Sequence, residues 1–275
     1  MTTFSVDGDK CNFCGMCVDE CSPQLIVMDA PDSLPRRIEG GDELCNRCGH
    51  CVAVCPAAAV STDIMKPEQC APVDRELLPF VERVEHFLKS RRSIRSYKPK
   101  RVPSETLARL IDVARYAPSG HNWQPVNWLV VEKPGETQRL GRMVVEWMRS
   151  IVESKPEIAK SMHFDRIVAN SDRGIDMILR GAPHVVVAHC DKQYGALGPS
   201  ACVIAATYLE LAAYGMGLGA CWAGYFQVAA SAYKPLTAAL SLPENHQVHA
   251  ALMVGYPKHR FSRIPLRNQP VVTWR

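Results

Sequence analysis

From Phe80 onward the apolar positions recur at helical and strand periods. Phe80, Val84, Phe87 and Leu88 share one helical face. Pro103-Ser104-Glu105 reads as a helix start, and Leu107, Leu110, Ile111 and Ala114 form the buried stripe that follows it. Val126 to Val131 is a short β-branched run and predicts a strand. Leu140, Met143, Val144, Trp147 and Ile151 predict another amphipathic helix, and His184 to Ala188 a second buried strand. Ser154 to Asn170 is polar and irregular, which predicts a lid or a variable insertion. Ala201 to Tyr214 is apolar nearly all round, so that helix belongs in a core or at a subunit interface. Cys221 to Phe226 and Ala250 to Val254 complete the expected strands. Helices alternating with short core strands predict an α/β or α+β domain over residues 80–275.

The first 63 residues follow another rule. Their apolar runs are short, with Ile26-Val27 and Val60 as strand starts, and their regularity lies in cysteine. Cys11-x2-Cys14-x2-Cys17-x3-Cys21 recurs at one constant offset as Cys45-x2-Cys48-x2-Cys51-x3-Cys55-Pro56. Three thiols at x2 steps converge on one iron–sulfur cube, and the fourth, on the outgoing segment, reaches the other cube. The spacing therefore assigns Cys11, Cys14, Cys17 and Cys55 to one [4Fe–4S] cluster, and Cys45, Cys48, Cys51 and Cys21 to a second. Structural zinc is the plainer alternative, but it uses pairs of C-x2-C knuckles and leaves the third and fourth cysteines surplus. A disulfide framework belongs to small secreted chains. The segment resembles a bacterial two-cluster ferredoxin, with one departure: Ser22 separates Cys21 from Pro23. Residues 64–79, punctuated by Pro67, Pro72 and Pro79, read as a linker, with Cys70 as an incidental thiol.

Charge changes the picture only slightly. The 275 residues carry a formal net charge of +4. Residues 1–63 hold ten Asp/Glu against four Lys/Arg, or −6, so the remainder carries +10. Those cations are dispersed, without a basic tail or an aromatic-interleaved motif, so nucleic acid is not the expected partner. No cleavable leader and no apolar run long enough for a bilayer is expected, which makes the cytoplasm the expected address.

Arg91-Arg92-Ser93-Ile94-Arg95 gathers three guanidinium groups, and such forks suit phosphate oxygens. Alone, the run reads as well as a solvated basic surface. It is followed by Ala117-Pro118-Ser119-Gly120-His121-Asn122-Trp123-Gln124-Pro125, then Gly217-Leu218-Gly219-Ala220-Cys221-Trp222, then Gly255-Tyr256-Pro257 with Lys258, Arg260 and Arg263 behind. In this order and spacing the segments resemble the nitroreductase-type FMN-binding fold, so the whole chain is similar to a ferredoxin–nitroreductase fusion of α+β class. The resemblance implies that Arg91, Arg92 and Ser93 hold the FMN phosphate and ribityl end, with Arg263 or Arg260 arriving from the C-terminus. It implies that Arg95 lies near the pyrimidine end, and that Ser119, Gly120, Asn122 and Gln124 contact the cofactor or hold its loop. Gly219 and Ala220 are expected to offer backbone N–H groups toward flavin N5. It also implies a homodimer with two FMN sites at the interface. The departure here is that Ile264 follows Arg263, where a basic pair is usual.

Several other features carry less. Gly215-x-Gly217-x-Gly219 follows a helix and precedes a strand, the reverse of a dinucleotide fingerprint. Cys190, Cys202 and Cys221 read as buried, inert thiols, and Trp123 and Trp128 as packing residues. His121 serves equally as an acid/base group or a loop-fixing one. The expected activity is that of an FMN- and iron–sulfur-dependent oxidoreductase. Clusters would relay single electrons from a low-potential donor, such as a ferredoxin, to FMN, which reduces a nitroaromatic, quinone or enone. Two alternatives stand beside it: an NAD(P)H-dependent nitro- or flavin reductase with accessory clusters, and a non-catalytic electron carrier or redox sensor.

Overall fold

The computed structural model describes residues 4–275. They divide into two units, the chain through Pro79 together with His121–Trp123, and the remainder from Phe80.

The first unit is built twice from the cysteine repeat. Its elements are β1 (Phe4–Val6), α1 (Met16–Asp19), β2 (Ile26–Val27), β3 (Arg36–Arg37), α2 (His50–Ala53) and β4 (Val60–Thr62). β1 pairs antiparallel with β4, and β2 with β3. Each x2 loop turns through the left-handed region at matching places, Phe13 (φ 55°) with Arg47 (φ 53°) and Gly15 (φ 71°) with Gly49 (φ 74°). That repeated reversal folds three thiols back toward one side before a single helical turn begins. The clustered apolar core includes Cys17, Ile26, Val52 and Val60, with Met65 and Cys70 packed against it.

The second unit comprises α3 (Val81–Ser90), α4 (Ser104–Ala114), β5 (Asn127–Val131), α5 (Glu136–Ser154), α6 (Pro156–Ser161), α7 (Phe164–Asp172), β6 (His184–Asp191), α8 (Leu197–Gly215), β7 (Gly219–Trp222), α9 (Gly224–Ala232), α10 (Lys234–Leu240) and β8 (His246–Gly255). Its sheet runs β5-β6-β8-β7 with every pair antiparallel. The period of two along each strand sorts the side chains onto two covered faces. Val185, Val187, Ala251 and Met253 meet α5, α7, α9 and α10 on one face. Val186, Ala188, Leu252 and Val254 meet α4 and α8 on the other. This is the α+β arrangement expected, with helices on both sides of an antiparallel sheet.

Four local expectations are corrected. Residues 154–170 are not an irregular lid, because Ala159, Phe164, Ile167 and Val168 anchor α6 and α7 in the core. The expected strand Cys221 to Phe226 ends at Trp222, and Phe226 is a fully buried residue of α9. Most of the apolar stripe at α3 is solvent-facing: Phe80, Val84 and Leu88 are exposed, and only Phe87 is half-buried, beside Tyr214. Finally, α8 is long and apolar enough to span a bilayer by length and composition. It instead lays Cys202, Ala206 and Leu209 against the sheet and α4, as a core helix does.

Candidate functional site

The thiols come together across the repeat. Burial pushes Cys17 up to about 11, and the nearby sulfurs that add to this are Cys55, Cys14 and Cys51. Burial likewise raises Cys51, opposed by the charge of Arg37 and reinforced by Cys48 and Cys21. Cys17 thus has the last thiol of the second run beside it, and Cys51 has the last thiol of the first. One cavity is lined by Cys21, Cys45, Cys48 and Cys51 together. Backbone N–H groups already point at sulfur: Leu25 N donates to Cys21 Sγ at 3.3 Å, Ala59 N to Cys55 Sγ at 3.3 Å and Arg47 N to Cys45 Sγ at 3.4 Å. Such donors stabilise thiolates. Among the described residues no three His, Cys, Asp or Glu side chains converge tightly enough for one ion. Soft sulfur donors gathered around one hollow fit an iron–sulfur cluster in their chemistry.

In the second unit, the arginine-rich segment leaves α3 and is stitched to α8 and β7. Ser90 Oγ lies 2.7 Å from Tyr214 Oη, and the Phe87 and Tyr214 rings pack at a tilt, 5.2 Å between centroids. Ile94 N donates to Ala220 O at 2.9 Å, and Tyr97 Oη donates to Ile94 O at 2.8 Å. Arg91 Nη1 donates to Glu210 Oε1 at 2.8 Å, and Trp222 Nε1 to Glu210 Oε2 at 3.3 Å. The next arginine has another fate. Arg92 donates through Nη2 to Lys89 O, while its Nε is buried with no hydrogen-bond partner. Arg92 faces a cavity of about 830 Å³ shared with Arg260, Arg263, Gly217 and Ser262. A cavity lined by three arginines, one of them with an unsatisfied Nε, fits a phosphate-bearing ligand.

The remaining predicted residues fall into three places. Arg95 is exposed and acts on Cys221, where burial raises the thiol and Arg95, then Arg180, pull it back. Ser93 adds a smaller lowering effect on the same thiol. Gly219 and Ala220 are buried on β7, and a Cβ on Gly219 would stand 2.4 Å from Ile94 Cγ1, so this close approach requires glycine. Ser119 Oγ accepts from Gln124 N at 2.9 Å, and both line a separate cavity of about 190 Å³ beside Trp128, Ala201 and Ala205. Gly120 abuts Leu197 at the start of α8. Asn122 groups with the thiol-bearing unit, its Nδ2 donating to Arg47 O at 3.1 Å and Asn46 O at 3.4 Å. The sequence reading missed Glu210. The signal was present, since Glu210 is the single charged residue of α8.

Fold and sites define a two-module redox protein, with soft-sulfur sites in one module and an arginine-lined cavity in a helix–sheet–helix domain. Residues 88–256 match the Nitroreductase family model and residues 10–59 the 4Fe-4S dicluster domain model. The chain belongs to the nitroreductase family, as an oxidoreductase with a ferredoxin-type domain at its N-terminus. A Methanothermobacter thermautotrophicus protein, provisionally named NADH dehydrogenase/NAD(P)H nitroreductase, is 25% identical over 173 residues, covering 62% of this chain and 75% of its own. Two crystal structures share the fold, each at 21% identity over 70% of this chain. The nitroreductase with bound FMN from Bacteroides fragilis has a TM-score of 0.54 over 98% of its chain. That from Desulfitobacterium hafniense has a TM-score of 0.56 over 96% of its chain.

Proposed function

We propose that this chain works as a cytoplasmic homodimer that binds FMN and two [4Fe–4S] clusters. In this reading the cysteines would hold clusters supplying one-electron transfer from a low-potential donor, such as a ferredoxin, and the arginine-lined cavity would hold the flavin that serves a nitroaromatic, quinone or enone acceptor. The observation that carries the reading is one chain holding both a thiol-lined cavity that gathers Cys45, Cys48 and Cys51 with Cys21 of the other run, and an arginine-lined cavity in which Arg92 Nε is unsatisfied. Flavin, when bound, supplies the exchange between one-electron and two-electron chemistry. The residues of this chain supply position and charge. Arg92, Arg260 and Arg263 are assigned to the phosphate, and Gly219 and Ala220 let the loop and strand approach closely. Arg95 brings positive charge to the reacting end. FMN is the ligand with which both solved relatives were determined, and its phosphate matches three guanidinium groups.

A second reading, NAD(P)H as the direct reductant, is favoured by the name of the archaeal relative. Anaerobic mixing separates the two. Reduced ferredoxin bleaches the flavin band of the holoprotein at catalytic rates, and NAD(P)H does so only slowly; the opposite order overturns the relay. Cys48→Ala abolishes turnover driven by ferredoxin and leaves reduction of FMN by dithionite intact. Loss of both together would contradict the relay. Arg92→Met with Arg263→Met weakens FMN retention by about 100-fold, from two charge-assisted contacts; undiminished flavin occupancy refutes the phosphate assignment.

A further inference from the structure

The two thiol sets sit in unequal fields. Matching the halves by the cysteine repeat makes Ile26 the counterpart of Val60. Ile26 pairs across its ladder with Arg37, whereas Val60 pairs with Val6. Equivalent places thus hold a guanidinium in one half and an isopropyl group in the other.

Arg37 is not a surface cation. It lines the cavity bounded by Cys21, Cys45, Cys48 and Cys51. Its side chain is only 8% exposed. The stem lies where a Cβ on Gly41 would intrude, 2.8 Å from Arg37 Cγ. The guanidinium carbon stands 5.2 Å from the centroid of the Phe4 ring. Nε is 3.1 Å from Asp42 Oδ1, close enough for ionic attraction but not aligned as a hydrogen bond, and neither Nε nor Nη2 has a hydrogen-bond partner. A buried N–H without an acceptor is costly, and retaining one here is best explained by a group that accepts from it.

We infer that Arg37 tunes the cluster held by Cys21, Cys45, Cys48 and Cys51, raising its reduction potential above that of the cluster on Cys11, Cys14, Cys17 and Cys55. The inference rests on the two-cluster reading proposed above. Net charge and hydrogen bonds to sulfur set such potentials. Gaining an electron makes an anionic centre more negative, so a buried cation beside it favours the reduced form, and burial of the Arg37 side chain weakens the screening of its charge. The other centre, with Val6 in the matching place, lacks that help. A single electron entering the module therefore rests on the Arg37 side.

The test is a redox titration of the holoprotein followed by electron paramagnetic resonance, with iron and sulfide counted. The wild-type protein is expected to hold eight irons and to show two midpoints. In Arg37→Met the higher midpoint falls by at least a tenfold change in the reduced-to-oxidised ratio, about 59 mV for one electron, while the lower stays fixed. Arg37→Lys, which keeps the charge but not the fork, recovers part of the shift. Should Arg37→Met lose iron, Arg37→Lys decides: one midpoint moved supports the inference, and none moved overturns it. Eight irons with both midpoints unmoved in Arg37→Met overturns the role of Arg37 and leaves the two-cluster reading standing. Fewer than eight irons in the wild-type protein overturns both.

Discussion

Two adjacent arginines, alike in sequence, are unlike in surroundings. Arg91 is 24% exposed and bound to Glu210, whose side chain is 8% exposed. Arg92 lines the large cavity and keeps a buried Nε without a hydrogen-bond partner. No feature of the run Arg91-Arg92-Ser93-Ile94-Arg95 separates them, because the difference comes from Glu210, more than a hundred positions away. Removing one partner of a buried ion pair leaves the other uncompensated, whereas removing both costs far less. Glu210→Gln is therefore expected to cost about 3 kcal/mol, and adding Arg91→Met to recover most of it, both read by chemical denaturation. FMN titration completes the comparison. Arg92→Met alone raises the dissociation constant at least tenfold, while the Arg91→Met/Glu210→Gln pair changes it no more than about threefold, as expected for losing one phosphate-directed charge-assisted bond and for losing none. A pair that releases flavin as readily as Arg92→Met makes Arg91 a phosphate ligand after all.

At the scale of elements, the legible parts were those with an unbroken period. The stripe Leu107, Leu110 and Ala114 is buried as expected, and β6 and β8 follow their β-branched and apolar runs. The cysteine spacing announced the thiol module, because ligand geometry constrains sequence more tightly than packing does. The illegible parts had mixed or short periods. α6 and α7 hide four anchors in a polar stretch, and β7 runs into α9 with only Ala223 between them. Within the arginine-rich site, residue types were readable but their neighbours were not. β7 shows why an element matters beyond its sequence. It lies at the sheet edge, its Ala220 carbonyl bonds Ile94 N, and Gly219 leaves no room beneath Ile94. Gly219→Ala is expected to push the 91–95 loop off this edge and to destabilise the domain by about 1–3 kcal/mol, as overpacking does. Trimming the facing side chain in Gly219→Ala/Ile94→Ala makes room again. Thermal melting of both variants checks this: a double variant no more stable than Gly219→Ala shows that the contact is not what glycine is there to permit.

The whole molecule leaves apolar surface that a single chain does not cover. α8 buries one side on the sheet and exposes Val203, Ile204 and, one turn on, Tyr208 at 41%, 38% and 39%. α3 presents Phe80, Val84 and Leu88 outward, and beyond β8 the tail carries Leu266, Val271 and Trp274 with no secondary structure beneath them. Isolated exposed apolar residues are ordinary, but several on adjacent turns of one helix mark a surface that excludes water in an assembly. The division of the candidate flavin residues argues for the same occupant. Arg92, Arg260 and Arg263 line one cavity, and Ser119 and Gln124 line another, within the same domain. A second copy related by a two-fold axis places the same patch on both subunits, and it is the arrangement in which each chain can lend one set of residues to the other's site. Ile204→Glu puts a charge on that patch without touching either cavity. Sedimentation equilibrium is expected to show the wild-type protein as a dimer and Ile204→Glu as largely monomer, with FMN affinity falling at least tenfold, about 1.4 kcal/mol. If the variant becomes monomeric and binds FMN as well as before, each site is complete within one chain. If the wild-type protein is itself monomeric with full flavin, the exposed face of α8 is not covered by a second copy.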